Sequence, residues 1–237
     1  MTAKLLSKVR TELKDRADAA KAPQMQAYMK SEMPYHGVSS PLAKQAFRAA
    51  FEGVALPDAA AWQAATLYLW RNAKFREERY GALHLAGDKR FRAHQTPDAM
   101  PLYEELIVTG AWWDYVDDIA SHRVGPIVAS HPTPMKRLMR RWSRDADLWK
   151  RRTSIICQLG FKDQIDLDLL YECIAPSLDS KAFFLRKAIG WALRQHAWID
   201  SAEVVRYVRE HKDELSPLSK REALKNVLRA GKIKAIP

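Results

Sequence analysis

Apolar residues recur at intervals of three and four along most of the chain, which is the spacing of helices with one buried face. Glycine is scarce and runs of β-branched residues are short, so strands are not indicated. Proline, glycine and capping residues interrupt the pattern repeatedly, for example at 34–37, 96–98, 131–134 and 215–217. The pattern predicts an all-α protein with helices of about three to four turns.

The same pattern gives no sign of a boundary between domains. No stretch is rich in glycine and serine, and the composition does not shift along the chain. We therefore predict one domain over residues 1–237.

A weak internal repeat relates several of the predicted helices. Aligning similar segments on a basic residue places Arg152, Lys187 and Arg221 at intervals of 35 and 34 residues, and earlier steps reach Asp117 and Arg79. A period of this size is typical of solenoids built from antiparallel helix pairs, and a plain helical bundle remains the alternative. With this alignment Asp117 is the one acidic residue among basic residues at equivalent positions of the repeat. A surface that only binds phosphate does not need an acidic side chain.

The charge balance favours an anionic partner. The chain has 39 Lys and Arg against 28 Asp and Glu, a formal net charge of +11, which favours nucleic acid first and an anionic membrane second. The N-terminal segment has no apolar run typical of a signal peptide, and no stretch approaches the ~20 apolar residues of a membrane span. We expect a cytoplasmic protein.

Several kinds of chemistry find no support in the motifs. Histidine and cysteine spacings typical of metal sites, glycine-rich phosphate loops and the serine hydrolase motif are all absent from the sequence. Cys157 and Cys173 lie in apolar helical patterns, so we expect both to be buried without a disulfide. We predict no metal and no cofactor.

The segment after Gly110 combines two tryptophans with three carboxylates. Trp113 and Asp117 lie one turn apart at the margin of an apolar stripe, while the neighbouring acids point away and suit the first turns of a helix. Asp117 is therefore a candidate for chemistry. A structural ion pair with Arg123 or Arg152 is the alternative.

Two further helices carry candidate DNA contacts. Arg152 lies within an apolar stripe and needs a partner, either a core carboxylate or a phosphate held by its planar fork. On the next helix, Lys187 shares a flank with Phe184, Trp191 and Arg194. Basic side chains interleaved with aromatic ones are suited to binding phosphates, sugars and nucleobases. A single aromatic side chain is nevertheless more often part of a core.

Three of these segments resemble the AlkD family of DNA glycosylases with HEAT-like repeats. They are Trp112–Asp117, Leu148–Thr153 and Lys187–Arg194, and the segment Met25–Lys30 is also similar. The resemblance extends over nearly the whole chain. It implies a curved solenoid of antiparallel helix pairs with a basic, concave face that binds DNA.

The resemblance also implies an activity and a set of site residues. The activity is excision of cationic alkylated purines, 7-alkylguanine and 3-alkyladenine, from duplex DNA. The family's catalytic cluster falls on Trp113, Trp191 and Asp117, its phosphate-binding arginine on Arg152, and a further DNA contact on Tyr28. From the pattern of basic and aromatic residues we add Phe184, Lys187 and Arg194 as DNA contacts.

The expected enzyme is a monomeric, monofunctional glycosylase that acts without flipping the lesion out of the duplex. We expect the protein to bind no membrane and to associate with the nucleoid. Two alternatives remain open at this point: a self-resistance glycosylase specialised for bulky natural-product adducts, and a helical-repeat protein that binds DNA without catalysis. A membrane-surface protein ranks below both, because the bases and aromatics follow the repeat and do not gather on one amphipathic helix.

Overall fold

The computed structural model describes all 237 residues and consists of 14 α-helices, short turns of 3-10 helix and no β-strand. The predicted all-α class is confirmed. The helices are α1 Thr2–Lys14, α2 Ala22–Met29, α3 Ser40–Ala50, α4 Ala59–Arg71, α5 Arg76–Ala86, α6 Met100–Gly110, α7 Trp113–Ile119, α8 Gly125–Ser130, α9 Pro132–Trp142, α10 Leu148–Ile156, α11 Leu167–Ile174, α12 Phe183–His196, α13 Ser201–Glu210 and α14 Pro217–Arg229.

Short polar residues determine where many of these helices begin. The side chain of the residue before the helix accepts a hydrogen bond from a backbone N–H of the first turn, which would otherwise have no partner. The residues that cap a helix in this way are Asp58, Asp147, Asp166, Asp200 and Ser216. The helix starts are thus encoded locally in the sequence.

The chain divides into two compact units, Met1–Leu102 and Tyr103–Pro237. In the first unit α1 packs against α3, α4 and α5, and α4 packs against α5. The buried faces of these helices supply its core, in which Trp62 and Trp70 are fully enclosed.

A buried carboxylate fixes one loop of the first unit. Glu77, at the start of α5, accepts hydrogen bonds from the backbone N–H groups of His36, Gly37 and Val38. Gly37 adopts φ +81°, and a Cβ at this position would lie 2.0 Å from the carbonyl oxygen of Asp18. The loop between α2 and α3 is therefore tied to α5 and requires glycine at its turn.

In the second unit, four helices spaced along the chain pack in succession. Helix α10 lies against both α7 and α12, and α12 packs along α14. A second layer is formed by α9 and α11, which contact each other and α10, and by α13, which contacts α12 and α14. Tyr171 of α11 stacks on Tyr207 of α13 with ring centroids 4.2 Å apart. The helix pairs predicted from the spacing are present in this unit.

The packing corrects the register of the predicted repeat at its last step. Lys187 of α12 forms an ion pair with Glu222 of α14, Nζ to Oε1 3.0 Å, whereas the predicted Arg221 is exposed. The repeat row is thus Asp117, Arg152, Lys187 and Glu222, spaced by 35 residues throughout, and it contains two ion pairs, Asp117 with Arg152 and Lys187 with Glu222. The prediction failed here because the rotation of α14 against α12 decides which side chain faces inward. The row contains two acids and two bases.

The two cysteines are buried, as predicted, and burial raises the pKa of both thiols. They act as small apolar side chains of the second unit. No group of three or more histidine, cysteine, aspartate or glutamate side chains is arranged to hold a metal ion. None of the helices has the length and apolar character needed to cross a membrane.

His196, in the last turn of α12, is only 6% exposed, and neither of its ring nitrogens has a hydrogen-bond partner. Burial lowers its pKa from the usual 6.5, because the charged ring is poorly solvated there, although Asp200 and Glu203 act in the opposite direction. As the pH falls, the unfolded chain therefore takes up this proton before the folded chain does. Stability that depends on a neutral His196 is present above about pH 6.5 and is lost below it.

We accordingly expect the free energy of unfolding to fall more steeply between pH 7 and pH 5 in the wild-type protein than in a His196→Leu variant. The measurement is urea unfolding of both proteins at the two pH values. A difference between them that does not change with pH would contradict the prediction.

Candidate active site

The centre of the candidate site is an ion pair between α7 and α10. Arg152 donates from Nε to Oδ1 of Asp117 at 2.7 Å and from Nη2 to Oδ2 at 2.8 Å, a bidentate pairing of the two planar groups. Its remaining nitrogen, Nη1, donates to the backbone carbonyl of Phe184 on α12 at 2.5 Å. One guanidinium thus connects three successive helices of the repeat.

A close backbone approach brings α7 and α10 into this arrangement. Residues 120–124, which follow α7 directly, form a π-helical turn, a distortion frequently found at functional sites. The next residue, Gly125, lies so close to the end of α10 that a Cβ would be 2.4 Å from the carbonyl oxygen of Cys157. Only glycine permits this contact without a shift of the backbone.

The ion pair is largely withdrawn from solvent. Arg152 is 4% exposed, and the side chain of Asp117 is mostly covered. Burial raises the pKa of Asp117 above its usual value; the Arg152 guanidinium opposes this effect, and the nearby Asp114 adds to it. A carboxylate with a raised pKa beside one specific cation is typical of functional sites, although structural ion pairs also produce it.

The geometry decides which of two arginines is the ion-pair partner of Asp117. Of the two arginines considered as partners of Asp117, Arg152 makes the pair, and Arg123 contacts Asp118 at 3.3 Å instead. Arg152 uses three of its five N–H groups within the protein. Its predicted phosphate contact, like the catalytic role of Asp117, stays a prediction.

Of the predicted tryptophans, one lies on a helix of the ion pair and the other on α12, whose Phe184 carbonyl accepts a hydrogen bond from Arg152. Trp113 is the first residue of α7, one turn before Asp117, and is partly exposed. Trp191 is also partly exposed and follows Phe184 by two turns on α12. Placement on these helices is compatible with contacts to one bound molecule, and their role in binding sugar stays a prediction.

Phe184, one of the predicted DNA contacts, belongs to an aromatic cluster with two tryptophans that were given no role from the sequence. Phe184 packs against Trp112 and Trp149, with ring centroids 5.4 and 5.0 Å apart, and the two tryptophan rings are 6.3 Å apart. These residues stand at the beginnings of α7, α10 and α12, so the cluster holds the three helix ends together. Their recurrence near helix starts at about the repeat spacing was the available signal.

The two predicted DNA-binding cations of α12 share one carboxylate. Lys187 Nζ lies 3.0 Å from Oε1 of Glu222, and Arg194 Nη1 lies 2.5 Å from its Oε2. The sequence analysis missed Glu222, although it follows Lys187 by the same 35 residues that separate the earlier members of the row. Both cations are therefore partly neutralised where they stand.

Tyr28, the remaining predicted DNA contact, belongs to the first unit. It lies on α2 and is 77% exposed, an unusual environment for a large aromatic side chain. The loop that follows α2 is the one held by the buried Glu77.

Comparison with known proteins identifies the family. The sequence profile of the DNA alkylation repair enzymes matches residues 9–227, nearly the whole chain. The chain belongs to the DNA alkylation repair enzyme family. A solved structure of a predicted DNA alkylation repair enzyme from Enterococcus faecalis is similar at 27% identity and a TM-score of 0.75, covering 89% of this chain and 96% of that one. A search of curated proteins finds no match.

Membership in the DNA alkylation repair enzyme family confirms the relationship predicted from the three motifs. It supports a role for the chain as an enzyme of alkylation repair, with DNA as its partner.

Proposed function

We propose that this protein is a monofunctional DNA glycosylase that hydrolyses the N-glycosidic bond of cationic alkylated purines, 7-alkylguanine and 3-alkyladenine, in duplex DNA. The observation that carries the proposal is the carboxylate of Asp117, held in a fixed orientation by the fork of Arg152 one turn from a partly exposed tryptophan. In a family of alkylation repair enzymes, such a carboxylate has a specific use.

The use follows from the chemistry of the lesion. Alkylation at N7 of guanine or N3 of adenine makes the purine cationic, so the base leaves with the bonding electron pair of its glycosidic bond and becomes neutral. Positive charge then develops on the deoxyribose, where a fixed anion stabilises the transition state. Water adds to C1′ of the sugar and gives up a proton. The reaction needs no general acid for the leaving base.

Each residue of the site has a part in this scheme. Asp117 supplies the negative charge and orients the water. The ring faces of Trp113 and Trp191 hold the deoxyribose and attract its developing charge. Arg152 fixes the carboxylate, and its two remaining N–H groups bind a backbone phosphate.

The wider DNA contact is part of the same proposal. Tyr28 and Phe184 contact the duplex, Lys187 and Arg194 lie close to it while they remain paired with Glu222, and the protein works as a monomer beside the nucleoid in the cytoplasm. The lesion stays in the duplex, because the sugar rather than the base is the group that the site recognises. The net charge of +11 supports attraction of the polyanion.

The direct test is an excision assay with the full-length protein. Duplex oligonucleotides that contain 7-methylguanine or 3-methyladenine are incubated with the protein, and released bases are separated by chromatography. We expect release of the alkylated base in equal amount to abasic sites, with strand breaks only after alkali treatment. Failure to release either base from duplex that the protein demonstrably binds would exclude the proposed activity and favour a non-catalytic DNA-binding protein.

A further inference from the structure

Glu222 forms a bridge over one face of α12. Its two carboxylate oxygens bind Lys187 and Arg194, which are separated by seven residues on that helix. The bridge is short because the helices nearly touch: a Cβ on Gly190 would lie 2.5 Å from the Cβ of Glu222 and 2.9 Å from the carbonyl oxygen of Ser219. The bridge is thus a consequence of close helix packing.

The residue between the two ends of the bridge is Trp191. Lys187, Trp191 and Arg194 stand at positions i, i+4 and i+7, which form one stripe along a helix. Both flanking cations are held by the same carboxylate, so their side chains cannot reorient independently. They flank the tryptophan along this stripe, one about a turn before it and the other about a turn after it.

The bridge also removes positive charge from reach of DNA. Burial by itself raises the pKa of Glu222, but hydrogen bonds from Lys187 and Arg194 outweigh it and lower the pKa below its usual value. Glu222 is therefore ionised and shared between two cations. A cationic side chain that is already paired with a carboxylate displaces fewer of the counterions bound to DNA when the protein binds.

We propose that Glu222 is a positioning residue, which holds Trp191 in place through Lys187 and Arg194 and at the same time withholds both cations from DNA phosphates. This inference rests on the proposed function, in which Trp191 contacts the deoxyribose. It assigns Lys187 and Arg194 to the support of the aromatic ring, in place of the phosphate contacts that their charge suggests. Loss of Glu222 should then strengthen DNA binding and slow base excision.

The experiment compares Glu222→Gln with the wild-type protein and with Glu172→Gln. The control also removes one negative charge from an ion pair of the second unit, that between Glu172 and Arg140, which lies on α9 and α11 away from the aromatic residues of α12. For each protein, binding to undamaged duplex DNA is measured over a series of salt concentrations. Single-turnover release of 7-methylguanine is measured at saturating protein.

In Glu222→Gln the two released cations become available to phosphates, so we expect tighter binding and a steeper salt dependence, by about 1–2 in the slope of log K against log salt. Its excision rate should fall about tenfold, within the ~100-fold that a 1 Å misplacement can cost. Glu172→Gln should excise at the wild-type rate. A purely structural loss would weaken both binding and excision.

An unchanged salt slope or a wild-type excision rate in Glu222→Gln would overturn the inference. If no protein, including the wild type, releases base, the proposed function fails, while the salt slope still tests the withheld cations. If Glu222→Gln does not fold, as judged by circular dichroism, Lys187→Met breaks the bridge from its other side. That variant should excise more slowly without a steeper slope, and an unchanged rate would refute the positioning role.

Discussion

Replacing Asp117 with asparagine is expected to lower the single-turnover rate of alkylpurine release about 100-fold or more, while duplex DNA is still bound. The amide occupies the same space and can still accept a hydrogen bond from Arg152. It carries no charge, so it cannot stabilise the positive charge that develops on the sugar. The measurement is base release at saturating protein, with binding followed separately on an undamaged duplex.

The pH dependence provides a second readout of the same residue. Burial and two charged groups determine the ionisation of Asp117: burial raises its pKa above the usual 3.8, Arg152 on α10 opposes the shift, and Asp114 on its own helix adds to it. The excision rate should therefore decline as the pH falls towards a pKa above 3.8, since the protonated carboxyl group has lost its charge. The residual rate of Asp117→Asn should lack this decline.

Asp118→Asn is the matched control for both measurements. It makes the same chemical change at the next position of α7, where the carboxylate pairs with Arg123 and His122 and not with Arg152. We expect it to excise at close to the wild-type rate. Equal rates for Asp117→Asn and the wild-type protein would refute the catalytic role of Asp117.

Replacing Glu77 with alanine is expected to reduce the free energy of unfolding by about 3–6 kcal/mol, because two buried backbone N–H groups and one partly buried N–H group lose their common acceptor. No water can easily take the place of the carboxylate, since Glu77 is fully enclosed. The loss can be measured by urea unfolding. Hydrogen exchange at the amides of residues 36–38 should become faster in the variant.

Glu12→Ala provides the comparison for this change. Glu12 of α1 is the partly exposed partner of Arg16, which follows the end of that helix, and pairs spaced by four residues contribute only about 0.3–0.5 kcal/mol. A stability of Glu77→Ala within 1 kcal/mol of the wild-type value would show that the loop between α2 and α3 does not depend on this acceptor.

Much of the fold could be predicted from the sequence because the determining interactions are local. The three-and-four spacing of apolar residues defines one buried face per helix, and acceptors such as Asp147 and Ser216 fix where helices begin. The repeat spacing of 35 residues places Asp117, Arg152 and Lys187 in equivalent positions. The three family motifs then identified the candidate site.

Contacts between helices were decided only by the tertiary structure. Sequence spacing shows that Asp117 and Arg152 share a slot of the repeat, but only the packing of α7 against α10 shows that they meet. A shift of one residue between Arg221 and Glu222 turns a helix by about 100°, and nothing local fixes that rotation. The packing of α12 against α14 selects the acid.

The candidate site as a whole shows the same division between features set within one helix and features set by contacts between helices. Its residue types were visible in the chain, because a helix turns at a constant angle and places its side chains predictably on its own surface. Their partners depend on distances between helices that are far apart in sequence. The chain alone therefore determined an all-α protein and its candidate residues, and only the tertiary packing paired Arg152 with Asp117 and gave Glu222 two cations.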